Sequence, residues 1–423
     1  MSMKPERLTA MFFLSVTIIF MLLVPVGLIG RVEEKRETTQ ARNSEASINW
    51  QKLYPFPEGT AKESRNVSAV TYQYIKNKVE DFTSGEYLVG GMKAVEAAKK
   101  YEEIIGWNIA SPYEYNGIMR LSDGCLTWIE RSKNVSPTVA VVSEFADYCK
   151  SKGLDFLYVL VPSKICVSED KDIAGVLDFS NQNADKFLEL LDEKGVRAYD
   201  LRKLLHEDGM NHHEAFFRTD HHWKPESGLW ASRYILQFMR DDLGWNVKPE
   251  MLAPDNFDYV IYPEWFLGSQ GKKFMLSRIK PDDFTMIYPK YDTNIRFEIP
   301  TMNIDYVGDF KVTYNMSSVV SKDYYNLSPY HAYSHGEPPV IKITNFKADN
   351  NKSVLLIRDS YSDVVIPFVA MGVKHIEAID LRGMTGSIKR YIEANHPDLV
   401  VIMYPTGVIG GEVWSGARHA DFR

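Results

Sequence analysis

Apolar residues gather along the chain in two ways. Asp155 to Val161, Ser353 to Ile357 and Leu399 to Tyr404 are near-continuous apolar runs, the first and last ended by Pro162 and Pro405. Runs of that length predict strands buried on both faces, as in parallel sheets. Val196 to Leu201 and His375 to Asp380 are weaker runs of the same kind. Between them the spacing turns helical. Ser136-Pro137 reads as an N-cap followed by proline in the first turn, Val142, Phe145 and Cys149 share one face, and Gly153 supplies a stop. Further helices are predicted at about 184–194, 225–242, 362–371 and 386–395. Helix and strand in alternation predict an α/β fold, a doubly wound, mostly parallel sheet of at least five strands. Ligands of such sheets bind beyond the carboxyl ends of the strands.

Two stretches break the alternation. Residues 245–350 are rich in Tyr, Pro, Asp and Asn, with short β-like pieces such as Phe310 to Tyr314, and are expected to form an irregular insertion in or beside the sheet. Its aromatic residues, Tyr259, Tyr262, Trp265 and Phe266 among them, either stack on sugar rings or fill the insertion's own core. At the other end, Leu8 to Ile29 is an uncharged apolar run of 22 residues, long enough to cross a bilayer as a helix. A transmembrane anchor at 8–30 is expected, with a tail at 1–7, a charged stalk at 31–67, a helical segment at 68–115 and the main domain at 116–423. A cleaved secretion signal is the competing reading. Lys4 and Arg7 precede the run and Arg31, Lys35 and Arg36 follow it, so charge leaves orientation open. A short tail followed by a large domain fits a single-pass anchor with the domain outside the cytoplasm.

Composition narrows the function classes. The 423-residue chain is 45% hydrophobic and 25% charged, ordinary for a folded protein. A net charge of -7 without a basic tract argues against non-specific nucleic-acid binding. Cys125, Cys149 and Cys166 are odd in number and widely spaced, so they outline neither a disulfide framework nor a zinc site.

Chemistry concentrates in Arg218-Thr219-Asp220-His221-His222-Trp223 and in Arg358-Asp359-Ser360-Tyr361-Ser362. A serine needs a base within hydrogen-bond reach and a third group to hold that base in the right tautomer. His222 is the candidate base, Asp220 its orienter and Ser360 the nucleophile, just past an apolar strand and before a helical pattern. Each has a plainer reading, Ser360 as a helix N-cap and Asp220 to His222 as a polar turn before Pro225, but both segments fall at predicted strand-to-helix junctions of one α/β domain, the right kind of place for a site. A metal is a further alternative, because His206, His212, His213, His221 and His222 fall within 17 residues, among several carboxylates. Adjacent imidazoles are expected to point apart, however, and no His-Glu-x-x-His spacing is present. No metal and no cofactor is therefore expected. Lys164, Arg382 and Tyr404, each following a predicted strand, and Tyr361 after the serine are candidates for substrate or oxyanion contact on the same rim.

Thr219-Asp220-His221-His222-Trp223 together with Asp359-Ser360-Tyr361-Ser362 resembles the DHHW family of membrane-anchored or secreted proteins. These are similar to the alginate O-acetylation proteins AlgJ and AlgX of the SGNH-hydrolase-like superfamily. The resemblance covers roughly Asn116 to Pro405, apart from 245–350, and places the Asp-x-His-Trp motif ahead of the serine in a permuted order. It implies Ser360 as nucleophile, His222 as base, Asp220 as its partner and Trp223 packed beside them. Arg358-Asp359-Ser360 stands where many superfamily members carry Gly-Asp-Ser or Gly-Thr-Ser. The implied activity is transfer or hydrolysis of an acyl group, acetyl above all, on a cell-surface glycan, with a membrane partner delivering the acyl group. A non-catalytic glycan-binding or scaffold subunit of an envelope assembly is the alternative.

Overall fold

The computed structural model describes residues 114–115, 118–121, 123–165, 178–274, 279–323, 326–410 and Phe422. The expected tail, anchor, stalk and all but the end of the helical N-terminal segment lie outside these residues, as does Cys166. Among the described residues no helix is long and apolar enough to cross a membrane.

Thirteen strands occur among the described residues. In chain order they are β1 (Glu114–Tyr115), β2 (Ile118–Arg120), β3 (Leu126–Trp128), β4 (Asp155–Val161), β5 (Ala198–Asp200), β6 (Phe257–Phe266), β7 (Asp282–Pro289), β8 (Ile295–Ile299), β9 (Ile304–Gly308), β10 (Val340–Asn345), β11 (Ser353–Arg358), β12 (His375–Ile379) and β13 (Leu399–Pro405). Eight of them form one sheet in the order β5-β4-β13-β11-β12-β10-β8-β9. The first five are parallel, and β10, β8 and β9 continue antiparallel. The five parallel strands are those predicted from the apolar runs. β13 is buried throughout its length and lies between β4 and β11, which is why it reads as the most continuous run. Cys149, on the shared apolar face with Val142 and Phe145, is fully buried on the helix Ser136–Ser151.

Residues 245–350 turn out to be both in and beside the sheet. They supply three of its eight strands and also the separate antiparallel ribbon β6-β7. Ile295–Ile299 and Val340–Asn345 both alternate, with fully buried positions on one face and half-buried or exposed positions on the other, because the second face of the sheet is only partly covered there. Phe310 to Thr313, expected to be β-like, is a 3-10 turn whose N-cap Asp309 accepts from the Lys311 amide. Phe266 is buried in the main core and Tyr262 and Trp265 pack against it, whereas Tyr259 is exposed.

Local details also depart from expectation. Ser136 lies inside its helix, whose N-cap is Val135. The predicted helix at 225–242 is α-helical over Pro225–Gln237 and then widens to a π turn over Phe238–Asp242. The segment after β11 is a 3-10 turn, Ser360–Val364, followed by one short helical turn, Ile366–Val369.

Candidate functional site

Two loops meet at the rim of the sheet. Ser360 lies past the end of β11 with only Asp359 between, the place an open parallel sheet offers a ligand-facing residue. The second loop was expected at a strand-to-helix junction, but it lies further on, past the helix Leu201–Glu207 and a 3-10 turn at His213–Ala215. Phe216 and Trp223 pair as an isolated antiparallel bridge, and the Phe217 amide donates to the His222 carbonyl at 3.1 Å. Asp220, His221 and His222 therefore occupy the tip of a closed hairpin loop. Pro225, in the first turn of Pro225–Gln237, ends that loop at a fixed point.

The side chains on these loops form one chain of hydrogen bonds. Ser360 Oγ lies 2.7 Å from His222 Nε2, and His222 Nδ1 lies 2.5 Å from Asp220 Oδ1. Burial pushes the Asp220 carboxyl up, but the His221 and His222 imidazoles beside it and the Ser269 amide hold it well below the usual carboxylate range. An ionised Asp220 accepts from Nδ1-H, which leaves Nε2 to accept from the serine hydroxyl. Ser360, His222 and Asp220 are all buried, so these bonds form with little competition from water.

Ser360 is not the cap of the turn it begins. Asp359 takes that role, its Oδ1 accepting the Tyr361 amide at 3.0 Å, and the Ser360 hydroxyl is left to face His222. Burial raises the Asp359 carboxyl to about 7, against the opposing pull of Arg382. Arg358, at the end of β11, turns into the interior. It donates to Asp363 Oδ1 and to the Pro338 carbonyl, each at 2.8 Å, and both members of the ion pair are fully buried.

The two loops are clasped on both sides of the serine-histidine bond. Tyr361, next after Ser360, donates its hydroxyl to the carbonyl of His221, the residue before His222, at 2.5 Å. Trp223, next after His222, donates its indole Nε1-H to the Tyr361 carbonyl at 2.9 Å. Trp223 is fully buried. These two bonds fix the register of one loop against the other.

The Tyr361 amide and hydroxyl are thus engaged in the cap and the clasp rather than turned towards an oxyanion. Lys164 is buried behind the loop and donates to the carbonyls of Leu126 and Asp220. Burial lowers its pKa. Arg382 pairs with Asp380 at 2.5 Å and Glu337 at 2.8 Å. Tyr404 is buried near the end of β13.

Residues 245–350, in which no motif was read, build the back of the site. Asp282 Oδ1 accepts the Arg218 amide at 2.9 Å, and its Oδ2 accepts the Thr219 amide at 2.7 Å and the Thr219 hydroxyl at 2.6 Å. The Gly271 amide donates to the Thr219 carbonyl at 2.7 Å. The Ser269 amide donates to Asp220 Oδ2 at 2.5 Å, and Gly268 passes so close that a Cβ there would lie 2.2 Å from Asp220 Cβ. A glycine-serine pair opening a short helix was the one available signal, and it is too common to single out.

The adjacent imidazoles do not point apart. His221 and His222 have ring centroids 3.8 Å apart, and together with Asp220 they offer ligand atoms within 4.8 Å of one another. Both nitrogens of His222 already have partners, Asp220 and Ser360, so a metal at this cluster would dismantle the hydrogen-bonded chain. His206 and His212 stack on each other with centroids 5.6 Å apart, and His212 Nε2 contacts the Ser163 carbonyl at 2.8 Å.

Comparison with known proteins bears on the family resemblance and the fold. Residues 122–253 match a family model described as "SGNH hydrolase-like domain, acetyltransferase AlgX". No curated protein matches the chain in sequence. Among solved structures, Bacillus cereus PatB1 shares 18% identity at a TM-score of 0.60, over 72% of this chain and 99% of that one. PatB1 with a sulfonyl adduct gives 18% and 0.59, over 72% and 98%. A DHHW family protein from Eubacterium siraeum gives 17% and 0.57, over 73% and 95%. The likeness to DHHW and AlgX-type SGNH-like proteins drawn from the sequence is thus met twice, by the family model over 122–253 and by a shared fold.

Proposed function

We propose that the chain is a serine-dependent O-acyltransferase or esterase that moves an acetyl group to or from a hydroxyl of a cell-surface glycan through an acyl-Ser360 intermediate. The observation that carries this reading is the continuous path Ser360 Oγ, His222 Nε2, His222 Nδ1, Asp220 Oδ1, with bonds of 2.7 and 2.5 Å. The matched family model spans Asp220 and His222 but ends before Ser360, and the roles of all three rest on geometry. Its description as an acetyltransferase supports acyl transfer as the chemistry. The sulfonyl adduct of PatB1 belongs to that protein, and it suggests a useful probe here.

In the proposed cycle His222 takes the hydroxyl proton as Ser360 Oγ attacks the donor's carbonyl carbon. The bond from that carbon to the leaving oxygen then breaks, and His222 returns the proton to the leaving oxygen. In the second half a sugar hydroxyl or water loses its proton to His222 and attacks the acyl carbon, and Ser360 leaves as the restored hydroxyl. Asp220 stays ionised throughout and stabilises the imidazolium. The proposal includes an anchor at residues 8–30, a domain outside the cytoplasm and a membrane partner that delivers the acyl group.

p-Nitrophenyl acetate turnover by the parent, Ser360→Ala and His222→Ala tests the reading, together with phenylmethanesulfonyl fluoride labelling located by mass spectrometry. The expected result is a loss of about 10³-fold or more in both variants and a single label on Ser360. Parental turnover in either variant, or a label on another residue, would sink the assignment.

A further inference from the structure

We infer that Tyr330, from the stretch in which no motif was read, is a positioning residue that holds the His222 imidazole in the plane facing Ser360. This inference rests on the serine-dependent reading above. The Tyr330 ring lies 4.3 Å from the His222 ring, centroid to centroid, with only 19° between their planes. His221 lies against the same imidazole at 3.8 Å and 37°, and Tyr361 meets it at 5.0 Å and 55°.

A histidine held by hydrogen bonds at both nitrogens keeps one soft torsion, about its Cβ–Cγ bond, which tilts the ring plane away from its partners. In-plane bonds from Asp220 and Ser360 resist that rotation weakly, whereas a ring lying flat on the imidazole face blocks it by direct contact. Tyr330 is the near-parallel neighbour and so meets the face broadly.

Tyr330 is itself rigidly placed. It is 1% exposed and belongs to a 3-10 turn, Pro329–Ala332. Its ring packs edge-on against Phe217, on the hairpin that carries His222, and its hydroxyl reaches the Tyr361 carbonyl at 3.5 Å. That carbonyl is also the acceptor of Trp223 in the clasp. One rigid aromatic side chain therefore touches the base, the loop of the base and the loop of the nucleophile. The long hydroxyl contact is a minor part of this arrangement, and the ring face is the working part.

The experiment compares the parent with Tyr330→Phe and Tyr330→Leu in three measurements: p-nitrophenyl acetate kinetics, thermal unfolding, and the far-downfield proton resonance of the His222-Asp220 bond. Tyr330→Phe keeps the face and is expected to retain kcat within about twofold and to keep the resonance. Tyr330→Leu is expected to lower kcat about tenfold with KM within about twofold, and to broaden or lose the resonance while the protein remains folded. If Tyr330→Leu does not fold, Tyr330→Phe still decides the matter, since a tenfold loss of kcat in that variant assigns the effect to the hydroxyl and overturns the inference. Parental kcat and an unchanged resonance in folded Tyr330→Leu also overturn it. Failure of the underlying reading looks different, because Ser360→Ala would then match the parent whatever Tyr330 does.

Discussion

At the scale of single residues, burial decides what the polar groups around the serine can do. Asp359 is buried beside Ser360, and burial raises its carboxyl to about 7. A carboxyl that holds its proton more tightly folded than unfolded binds more protons in the native state. Its contribution to stability is therefore lost as pH rises from about 4, the unfolded value, through 7, and is flat above that. Asp359→Asn keeps a capping oxygen for the Tyr361 amide and removes the titration. Urea unfolding at pH 5 and pH 8 should show the variant gaining on the parent at the higher pH, and an equal difference at both would contradict the assignment. Lys164 has the opposite character: burial lowers its pKa, and its amine donates to two backbone carbonyls. Lys164→Met removes the amine from both carbonyls, leaving them to the Gln270 amide that faces the same pair, and should cost about 1–3 kcal/mol of stability. KM for p-nitrophenyl acetate should stay unchanged, whereas a raised KM at parental stability would return Lys164 to the substrate-contacting group.

Among elements, the helix Pro225–Gln237 lies against the turn Ser360–Val364 with no room to spare. A Cβ at Gly228 would come within 2.4 Å of the Val364 carbonyl oxygen and 2.5 Å of its Cγ2. Glycine inside a helix costs about 1 kcal/mol relative to alanine, and here that cost permits close approach to the nucleophile's turn. Gly228→Ala must push helix and turn apart, at about 1–3 kcal/mol for overpacking. Because Ser360 moves with the turn, ester turnover should fall by more than the loss of stability explains. Thermal unfolding and initial rates on the same samples check this, and a variant with parental turnover would show that the contact relaxes elsewhere. The continuous apolar runs made the five parallel strands legible from the sequence. β8 and β10 carry an alternating signal that is as physical but short, and the Pro, Asn and Tyr residues around them masked it. The reading of Asp220 to His222 as a junction after a strand failed because the helix Leu201–Glu207 and a 3-10 turn intervene.

Across the whole molecule, residues 245–350 are part of the sheet and of the site's support. β10 pairs with β12 over five residue pairs, and Ile341, Ile343, Ile295, Phe297 and Ile299 are all buried in the main core. Such strands open only when the sheet opens. Native-state hydrogen exchange should therefore give the amides of β10 the same opening free energy as those of β11 and β13, near the global value. The ribbon β6-β7, which pairs with no strand of the main sheet, should exchange through smaller openings. Exchange of β8 and β10 together at a distinctly lower free energy than β11 would instead mark 245–350 as an independently unfolding lobe.

The sequence by itself determined the α/β class, the five parallel strands, and the identity of Asp220, His222 and Ser360 as the residues worth placing together. It could do so because burial on both faces imposes continuous apolarity on β4, β11 and β13, and because the chemistry of a base and its partner restricts residue types within a short span. Only the tertiary structure decided that Ser360 meets His222 across 138 positions of sequence, that Asp359 rather than Ser360 caps the turn, and that Tyr361 and Trp223 clasp the two loops. It alone also brought Asp282, Gly268, Ser269 and Tyr330 behind the site. Those contacts use backbone amides, a missing Cβ and the face of a ring, and such features acquire meaning only when a distant segment is folded against them.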